Sequence, residues 1–350
     1  MRVVVVGAGA VGGLLAWALA DGGADVTVVG RGVPGAAGGA AVVIDPRGAR
    51  RGAPVTVVPG VAAVSGGPPD LVLCAVRMMA LADVLADLAA WPATPLLTVQ
   101  NGVGAEAAAL AARPDAPLIA GSVTAAVDRQ ADGTVRWLRR GGIGLAVVSG
   151  PVERLTADLA RRFEAARLRA RVYPEAPAMK WSKLVANLVG NASGAVLGLG
   201  PAAVYGDPRL FGVERRQLRE ALAVMAAQGL RPVDLPGAPV RLLAVGTRLP
   251  AALARPVFVR SVAGARGGKA PSLHLHVASG GGPSEVEWLN GAVVERGRAL
   301  GVATPVNAAL LEAVREVSHD ATRRAWFRDR PDRLEAVVDG AAELPPGPST

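Results

Sequence analysis

The 350-residue sequence has little cysteine, few aromatic residues and almost no lysine. Its one cysteine, Cys74, excludes an intramolecular disulfide framework and a cysteine-based zinc site, and it fits a reducing, cytoplasmic compartment. Aromatic residues make up 3% of the chain, so the core must be built from Ala, Val and Leu. With 51% apolar and only 19% charged residues, the composition excludes an intrinsically disordered protein.

Lysine is scarce although the chain carries a formal net charge of +9. Lys180, Lys183 and Lys269 are the only lysines among 38 basic residues. The arginines are spread along the whole chain, whereas a nucleic-acid-binding protein gathers them into a patch with interleaved aromatic residues. We therefore expect no nucleic-acid partner. Because arginine serves here wherever any cation suffices, a retained lysine indicates a need for an ammonium group with a tunable pKa.

The N-terminal residues 3–20 contain no polar side chain, but their internal order argues against a signal peptide or a membrane span. A β-branched run at 3–6 is typical of a strand buried on both faces. A glycine-rich turn at 7–12 (GAGAVG), an apolar helix-length segment and a second strand at 25–29 follow. This order is the context that the dinucleotide-binding fingerprint requires.

The glycines of this turn are needed for backbone reasons. Gly7 allows the tight turn, Gly9 lets the main chain approach a pyrophosphate, and Gly12 lets helix and strand pack closely. The helix N-terminus at Ala10 and Val11 supplies N–H groups and positive potential to the phosphates. A glycine-rich turn without a ligand is the alternative, and the position between two strands favours cofactor binding.

The end of the second strand indicates which dinucleotide binds. NAD enzymes typically carry Asp or Glu there to accept a hydrogen bond from the ribose 2′-hydroxyl. Here the strand is followed by Gly30 and Arg31, with no carboxylate in place. The planar guanidinium of Arg31 suits a 2′-phosphate, so we predict NADP(H), with an ordinary surface arginine as the alternative.

Six further apolar runs bounded by turn residues predict strands, namely residues 55–58, 71–75, 96–99, 123–127, 134–138 and 143–148. The last three are expected to complete the same sheet as short antiparallel strands. Arg77 and Asn101 follow two of the strand ends, where ligands bind in an open parallel sheet. We predict that both contact cofactor or substrate; for Asn101 a turn-forming role ahead of Gly102 is the alternative.

The pattern changes in the second half of the chain. From Pro177 onward the apolar period shifts from two to the 3.6 of a helix. We therefore predict an α/β N-terminal domain with a Rossmann-type doubly wound sheet, followed by an all-α C-terminal domain. The expected boundaries are 1–174 and 175–320, with a partly frayed tail at 321–350.

One stretch of the helical half carries polar residues at helical spacing. Lys183, Asn187 and Asn191 recur every four residues, which on a helix forms one polar row. Asparagine is a poor helix former, and exposed positions usually carry Glu, Arg, Lys or Gln instead. We predict a row that faces a ligand, with a hydrated surface as the alternative. Lys180 projects to the same side one turn earlier and is a rival to Lys183.

A second polar segment opens the helix predicted to run from Pro283 to Gly301. Ser284 and Glu287 have the spacing of a capping box, which leaves Glu285 without a capping role. His274 and His276 precede this helix, but they lack further metal-ligating residues at ligand spacing, so we predict no metal site.

With these residues assembled, residues 2–318 resemble the ketopantoate reductase family of NADPH-dependent 2-oxoacid reductases. The resemblance is carried by the N-terminal glycine turn, by Arg31 and by the segment QNGVG at 100–104. It is also carried by the spacing of Lys183, Asn187 and Asn191 and by the segment SEVEWLNG at 284–291.

The resemblance implies a role for each matching residue. Lys183 would be the general acid, and Glu285 would orient the substrate hydroxyl and the nicotinamide side. Asn101, Asn187 and Asn191 would hold the substrate and neighbouring cofactor groups, and Ser272 would contact the substrate. Arg77 stands where the family commonly carries a lysine near the cofactor. A role in pantothenate biosynthesis and a homodimer formed through the helical domain are also implied, with no membrane partner.

The chain departs from the family pattern after Ser272. The family often continues with a run like Met-Leu-Gln-Asp, whereas this sequence reads LHLH at 273–276 and has three glycines at 280–282. We predict hydride transfer from NADPH to a 2-oxoacid held between the domains. The alternatives are a β-hydroxyacid dehydrogenase, a reductase of a secondary-metabolite carbonyl compound, and a non-catalytic NADPH-binding sensor.

Overall fold

A computed structural model describes residues 1–30, 39–139, 141–263, 273, 277 and 284–342. The chain divides into two compact units. Unit 1 comprises Met1–Lys180 and Asp234–Ala238, and unit 2 comprises Trp181–Val233 and Pro239–Thr350. We predicted the boundary at residue 174; the division after Lys180 reflects the burial of this side chain among atoms of unit 1.

Unit 1 is built on an eight-stranded sheet with the strand order β12-β11-β8-β7-β6-β1-β2-β5. The six strands from β8 to β5 are parallel, and β11 runs antiparallel to β8. This confirms the Rossmann-type doubly wound sheet. The strands of the sheet are β1 (Arg2–Val6), β2 (Asp25–Val29), β5 (Thr56–Val58), β6 (Leu71–Cys74), β7 (Leu96–Thr98), β8 (Leu118–Val123), β11 (Gly142–Ser149) and β12 (Arg169–Val172).

The valines of β1 show why the strand is apolar throughout. Val3 and Val5 pack into the core on one face of the sheet, whereas Val4 and Val6 pack into the core on the other. A strand with a core on each side has no position for a polar residue. Helices cover both faces: α1 (Ala10–Asp21) and α4 (Glu153–Ala165) on the first, and α2 (Leu81–Asp87) and α3 (Ala105–Ala112) on the second. Short 3₁₀ turns lie at Val61–Ala63, Met78–Ala80 and Leu88–Ala90.

A second, four-stranded sheet covers α1 and was not predicted. Its order is β4-β3-β10-β9, with β3 (Ala40–Ile44), β4 (Arg50–Pro54), β9 (Ala126–Arg129) and β10 (Val135–Arg139). The prediction that residues 123–127 and 134–138 complete the main sheet is therefore wrong. The sheet lies close against α1, because a Cβ on Gly13 would lie 2.7 Å from a methyl carbon of Val135.

This second sheet explains the polar-free N-terminus. Helix α1 packs between two sheets, so side chains on all its sides, such as Leu14, Leu15 and Trp17, are buried. A helix that is apolar all round is one that is buried all round. Its 12 residues extend about 18 Å, less than the roughly 30 Å of a bilayer core. In the described parts of the chain, no helix combines the length and the apolar character needed to cross a membrane.

Unit 2 is helical throughout its described residues, which confirms the all-α second half. Helix α5 (Ala176–Leu188) carries the boundary between the units. The helices that follow are α6 (Ala192–Leu197), α7 (Pro201–Gly206), α8 (Pro208–Ala227), α9 (Val240–Arg248), α10 (Ala251–Ala263), α11 (Asn290–Leu300), α12 (Pro305–His319), α13 (Ala321–Phe327) and α14 (Pro331–Val338), with a 3₁₀ turn at Glu285–Trp288. Phe327 and Leu334 are fully buried, so residues 321–338 pack as part of this unit.

Candidate functional site

The glycine turn lies at the carboxyl end of β1, the edge at which ligands bind in an open parallel sheet. Gly7 has a φ of +112°, in the left-handed region that favours glycine. A Cβ on Gly7 would lie 2.8 Å from the carbonyl carbon of Ala75, and a Cβ on Gly12 would overlap the carbonyl oxygen of Gly7. Neither position can hold a larger residue without rearrangement of the turn.

Gly9 differs from these two glycines because, among the described residues other than its chain neighbours and its own helix, no atom lies within 4 Å of the place where its Cβ would be. It is the N-cap of α1, and no described side chain caps the helix. Ala10 and Val11, which follow it, are half-buried. An open space beside uncapped backbone N–H groups is what a pyrophosphate needs at a helix N-terminus. The turn therefore fits a dinucleotide.

Arg31, the predicted 2′-phosphate ligand, lies outside the described residues. Its neighbour Gly30 donates from its backbone nitrogen to Val58, and a Cβ on Gly30 would lie 2.5 Å from the Cβ of Ala8. The chain therefore leaves β2 directly beside the glycine turn. Arg77 is exposed at the end of β6, and Asn101 is half-buried after β7.

Gln100 connects the ends of β6 and β7, a contact that sequence reasoning missed. Its side-chain nitrogen donates to the carbonyl oxygens of Cys74 and Val76, at 3.0 and 3.2 Å. Its own Oε1 is buried and has no hydrogen-bond partner among the described residues. Burial raises the pKa of the Cys74 thiol, as is usual for a core cysteine rather than a nucleophile. The burial of this amide, which decides its role, is not visible in the sequence.

Lys180, the rival general acid, is committed to contacts within unit 1. Its Nζ lies 3.1 Å from Oε1 of Glu106 and donates to the carbonyl oxygen of Gln100 at 2.8 Å. Thr98 donates to the same carboxylate oxygen at 2.8 Å. The Lys180 side chain is only 4% exposed. These contacts fix the backbone of Gln100, the residue directly before Asn101.

Lys183 and Asn187 lie together on the unit 2 part of α5. Nζ of Lys183 donates to Oδ1 of Asn187 at 2.8 Å, and both residues are half-buried. The spacing of four residues predicted this proximity, because residues i and i+4 are neighbours on a helix surface.

Asn191 does not continue the helical row, so the prediction of one three-residue row is wrong. Helix α5 ends at Leu188, and Gly190 turns the chain with a φ of +59°. Asn191 then stands at the N-cap of α6, where it is buried. Its Oδ1 has no hydrogen-bond partner among the described residues. An acceptor of this kind remains available to a ligand if the side chain becomes accessible.

A buried carboxylate, Glu214 of α8, anchors the corner between α5 and α6. The side chain accepts hydrogen bonds from the backbone nitrogen of Gly190 at 2.7 Å and from Oγ of Ser193 at 2.7 Å. Tyr205 donates a third at 2.9 Å. Burial raises the pKa of Glu214, and the three hydrogen bonds oppose that shift. Sequence reasoning missed this residue, because an acid followed by two arginines and a glutamine reads as an exposed part of a helix.

The segment that carries Glu285 is a 3₁₀ turn rather than the start of one long helix. Ser284 accepts from the backbone nitrogen of Val286 at 3.3 Å, as an N-cap does. Glu287 does not complete the predicted capping box: both its oxygens accept from Arg315, at 2.8 and 2.7 Å. The bidentate ion pair with Arg315 replaces the cap because a guanidinium satisfies both carboxylate oxygens at once.

Gln217, one turn after Glu214, links α5 to the segment that follows Glu285. Its Nε2 donates to the carbonyl oxygen of Leu188 at 3.4 Å, and its Oε1 accepts from Asn290 at 3.2 Å. Asn290 also donates to Asn307 at 3.0 Å. Helix α8 therefore fixes the end of α5 and the start of α11 through one buried amide network.

Two further predictions concern the segment before Ser284 and metal binding. Ser272, His274 and His276 lie outside the described residues. Where the structure describes the chain, no three His, Cys, Asp or Glu side chains are grouped so that they could hold a metal ion.

Comparison with known protein families gave matches over both units. The model of the family described as "Ketopantoate reductase PanE/ApbA" matches residues 3–150. The model described as "Ketopantoate reductase PanE/ApbA C terminal" matches residues 176–318.

Curated proteins of similar sequence are 2-dehydropantoate 2-reductases. The protein from Halobacterium salinarum is 27% identical over 324 residues, which cover 91% of this chain and all of that protein. The protein from Pyrococcus horikoshii is 26% identical over 239 residues, which cover 66% of this chain and 75% of that protein.

Solved structures agree with this similarity. The PanE/ApbA family ketopantoate reductase from Ralstonia eutropha JMP134 has a TM-score of 0.75 at 25% identity, covering 91% of this chain and 98% of the other. A D-mandelate dehydrogenase bound to NADH and anilino(oxo)acetate has a TM-score of 0.74 at 18% identity, covering 93% and 99%. At that identity the second likeness concerns the fold alone.

Proposed function

The chain belongs to the ketopantoate reductase PanE/ApbA family and is an oxidoreductase of CH–OH groups, and on that premise we propose that it reduces a 2-oxoacid such as 2-dehydropantoate with NADPH. The glycine turn is the observation that carries this proposal. Its open space at Gly9, beside an uncapped helix N-terminus, suits the cofactor pyrophosphate. Ala10 and Val11 line the start of that helix, and Arg77 and Asn101 follow the neighbouring strands.

The proposed proton donor is the ammonium group of Lys183. When bound, the dihydronicotinamide ring of NADPH supplies the hydride that reduces the ketone carbon. The ketone oxygen takes its proton from Lys183, so that a 2-hydroxyacid forms and the lysine is left neutral. The hydrogen bond to Asn187 orients this ammonium group. The rival, Lys180, is already held by Glu106 and by the Gln100 carbonyl, which supports the assignment of Lys183.

Asn191, Ser272 and Glu285 complete the proposed substrate site. The buried Oδ1 of Asn191 supports a role in accepting a hydrogen bond from substrate. For Glu285 we propose orientation of the substrate hydroxyl, and for Ser272 a substrate contact. The altered sequence after Ser272 bears on which 2-oxoacid is reduced.

The specificity for NADPH is also proposed, and it depends on Arg31. A guanidinium pairs with a 2′-phosphate through charge-assisted hydrogen bonds, which contribute about 1.5–3 kcal/mol each. Arg31→Ala should therefore weaken NADPH binding while NADH binding is kept. Loss of both cofactors in parallel would contradict this role.

A panel of 2-oxoacids tests the activity. Loss of NADPH absorbance is followed with 2-dehydropantoate, 2-oxoisovalerate, pyruvate and phenylglyoxylate, the ketone that corresponds to mandelate. Turnover of one of these supports the proposal and identifies the substrate class. Tight NADPH binding without turnover of any 2-oxoacid would favour the non-catalytic sensor instead.

We also propose a homodimer formed through unit 2. Helices α9 and α10 carry four large apolar residues that are each more than half exposed, namely Leu242, Val245, Leu253 and Val257. A cluster of exposed aliphatic residues on consecutive helices is typical of an interface. Sedimentation velocity measures the mass, and Leu253→Glu should shift a dimer to monomer. A wild-type monomer at all concentrations would contradict the proposal.

A further inference from the structure

Unit 1 contains a cavity that shares no residue with the candidate nucleotide site. Its volume is about 350 Å³, at the lower end of the range in which small molecules bind. The indole rings of Trp17 from α1 and Trp137 from β10 form apolar walls, together with Pro46 and Ala166. Both indoles are buried. They are only 1% and 4% exposed, so they close the cavity on its apolar side rather than present open ring faces.

Positive charge predominates around this cavity. Arg47 and Arg51 come from the β3–β4 hairpin, and Arg167 and Arg169 from the connection between α4 and β12. Asp45 is the only acid among the lining residues. Its Oδ2 accepts from Nε of Arg51 at 3.1 Å, and its Oδ1 accepts from the backbone nitrogens of Arg47 and Ala49.

Both carboxylate oxygens of Asp45 therefore accept hydrogen bonds from within the hairpin. Partial burial opposes ionisation of its carboxyl, but the hydrogen bonds from Arg51 and from the two backbone nitrogens outweigh that effect and hold its pKa below the usual value. Among the described residues, the side chains of Arg47, Arg167 and Arg169 have no hydrogen-bond or ion-pair partner. Three like charges beside one cavity repel each other unless an anion lies between them.

Arg167 occupies its position at a conformational cost. It follows the C-cap of α4 with a φ of +63°, a left-handed conformation that favours glycine. The chain uses glycine at its other described positive-φ positions apart from Asp329, and it contains 44 glycines in all. An arginine at this position is explained if its guanidinium group is needed at the cavity.

We propose that this cavity binds a compact organic oxyanion, with its apolar ring against the side that Trp17 and Trp137 close and a phosphate or carboxylate among Arg47, Arg167 and Arg169. Each feature of the site has a use in that complex. The apolar side of the cavity contacts the ring, and the three exposed guanidinium groups supply charge-assisted hydrogen bonds. The proposal does not depend on the proposed reductase activity.

Phenyl phosphate is a suitable probe because it joins a flat ring to a dianion. The chain contains six tryptophans, so ¹⁵N-labelled protein gives six indole N–H signals, and Trp17→Phe and Trp137→Phe identify two of them. Titration should shift the Trp17 and Trp137 signals selectively. Benzoate tests the carboxylate source of the same chemistry. Phenol and inorganic phosphate, which each lack one half of the probe, should bind at least about tenfold more weakly.

Arg167→Gly tests the charge without endangering the fold, because glycine is the residue that the local backbone favours. Loss of a charge-assisted hydrogen bond should weaken phenyl phosphate binding about 10–100-fold, while the melting temperature is maintained or raised. Arg161→Ala is the matched control: it removes an exposed arginine of α4 that is not part of the cavity and should leave binding unchanged. The titrations are repeated in saturating NADPH.

Three results would overturn the proposal. The first is an equal effect of Arg167→Gly and Arg161→Ala on binding. The second is the absence of any shift of the Trp17 and Trp137 signals. The third is displacement of the probe by NADPH, which would assign the binding to the nucleotide site.

Discussion

The ammonium group of Lys180 lies 3.1 Å from a carboxylate oxygen of Glu106, in an ion pair whose side chains are 4% and 15% exposed. The same ammonium donates to the carbonyl oxygen of Gln100, the residue before Asn101. A buried charge is tolerated when it is paired and hydrogen-bonded in this way. Two lysines three positions apart on one helix therefore have different surroundings: Lys180 is held in a buried ion pair, whereas Lys183, the proposed proton donor, is half-buried beside Asn187.

Lys180→Met should destabilise the protein by about 3–5 kcal/mol, because it leaves the Glu106 carboxylate buried without its partner. Urea unfolding followed by circular dichroism measures the loss. Lys183→Met is the matched control on the same helix and should cost less than about 1 kcal/mol, as is usual where no buried pair is broken. Equal losses in the two variants would remove the distinction between the lysines.

Lys183→Ala should lower kcat by about 10²–10⁴-fold, the contribution of a general acid, with the Kd for NADPH unchanged. Asn187→Ala should lower kcat to a smaller extent, because the ammonium group is retained and only its orienting partner is removed. Steady-state kinetics and fluorescence titration of NADPH separate the two effects. A Lys183→Ala variant with nearly unchanged turnover would refute the assignment of this residue as the acid.

Gly9→Ala should fold normally and bind the cofactor poorly. In the part of the chain that the structure describes, no atom beyond its chain neighbours and its own helix lies within 4 Å of the added Cβ, so the methyl group occupies the space proposed for the pyrophosphate. Loss of charge-assisted hydrogen bonds to backbone N–H groups should weaken binding about 10–100-fold. Gly212→Ala, which adds a methyl group in open space on α8, is the matched control. Calorimetry and thermal melts of both variants show whether affinity falls without stability.

The buried Glu214 predicts a pH dependence of stability. Its pKa is raised by burial above the ordinary value of 4.5, so below that pH the carboxyl is protonated in folded and unfolded chains alike. Between 4.5 and the raised value only the folded protein holds the proton. The contribution of Glu214 to stability is therefore fully present below 4.5 and declines as pH rises through the folded pKa.

Glu214→Gln isolates this contribution. The stability of wild type relative to Glu214→Gln should fall by up to about 1.4 kcal/mol per pH unit above 4.5, as measured by urea unfolding at a series of pH values. Glu312→Gln, which removes an exposed carboxyl, is the control for the loss of charge. A stability difference that rises with pH would show that the sign is wrong.

Sequence alone predicts the parts of this fold that local periodicity determines. The run at 3–6, the glycine turn and the apolar helix give β1, α1 and β2 with nearly the observed bounds. The second sheet was missed in part because β4 and part of β9 are not continuous apolar runs: in β4 (RRGAP) only Ala53 is buried. The apolar run of β3 (AAVVI) was overlooked. Such strands form because they pack against α1, and this contact between distant parts of the chain is not visible in the local sequence pattern.

In the candidate site, too, the sequence predicts what local spacing determines and misses what contacts between distant residues determine. The pair Lys183–Asn187 was predictable because helical spacing places its members together. Asn191 was misplaced because Gly190 ends the regularity that the spacing assumed. Gln100 and Glu214 could not be assigned roles because their partners lie 24 or more residues away, or in another helix, and buried hydrogen bonds leave no periodic trace in the sequence.

The short segment Asp234–Ala238 belongs to unit 1 although the chain on either side of it belongs to unit 2. Its carbonyl oxygens accept from the Tyr173 hydroxyl at 2.6 Å and from the Thr124 hydroxyl. A nascent chain that has emerged from the ribosome only as far as Lys180 therefore lacks the acceptors that Asp234 and Pro236 supply. Unit 1 therefore completes its hydrogen bonds only after residues 181–233 of unit 2 have been synthesised. For the same reason, one protease cut after Lys180 would not release two units that are each complete.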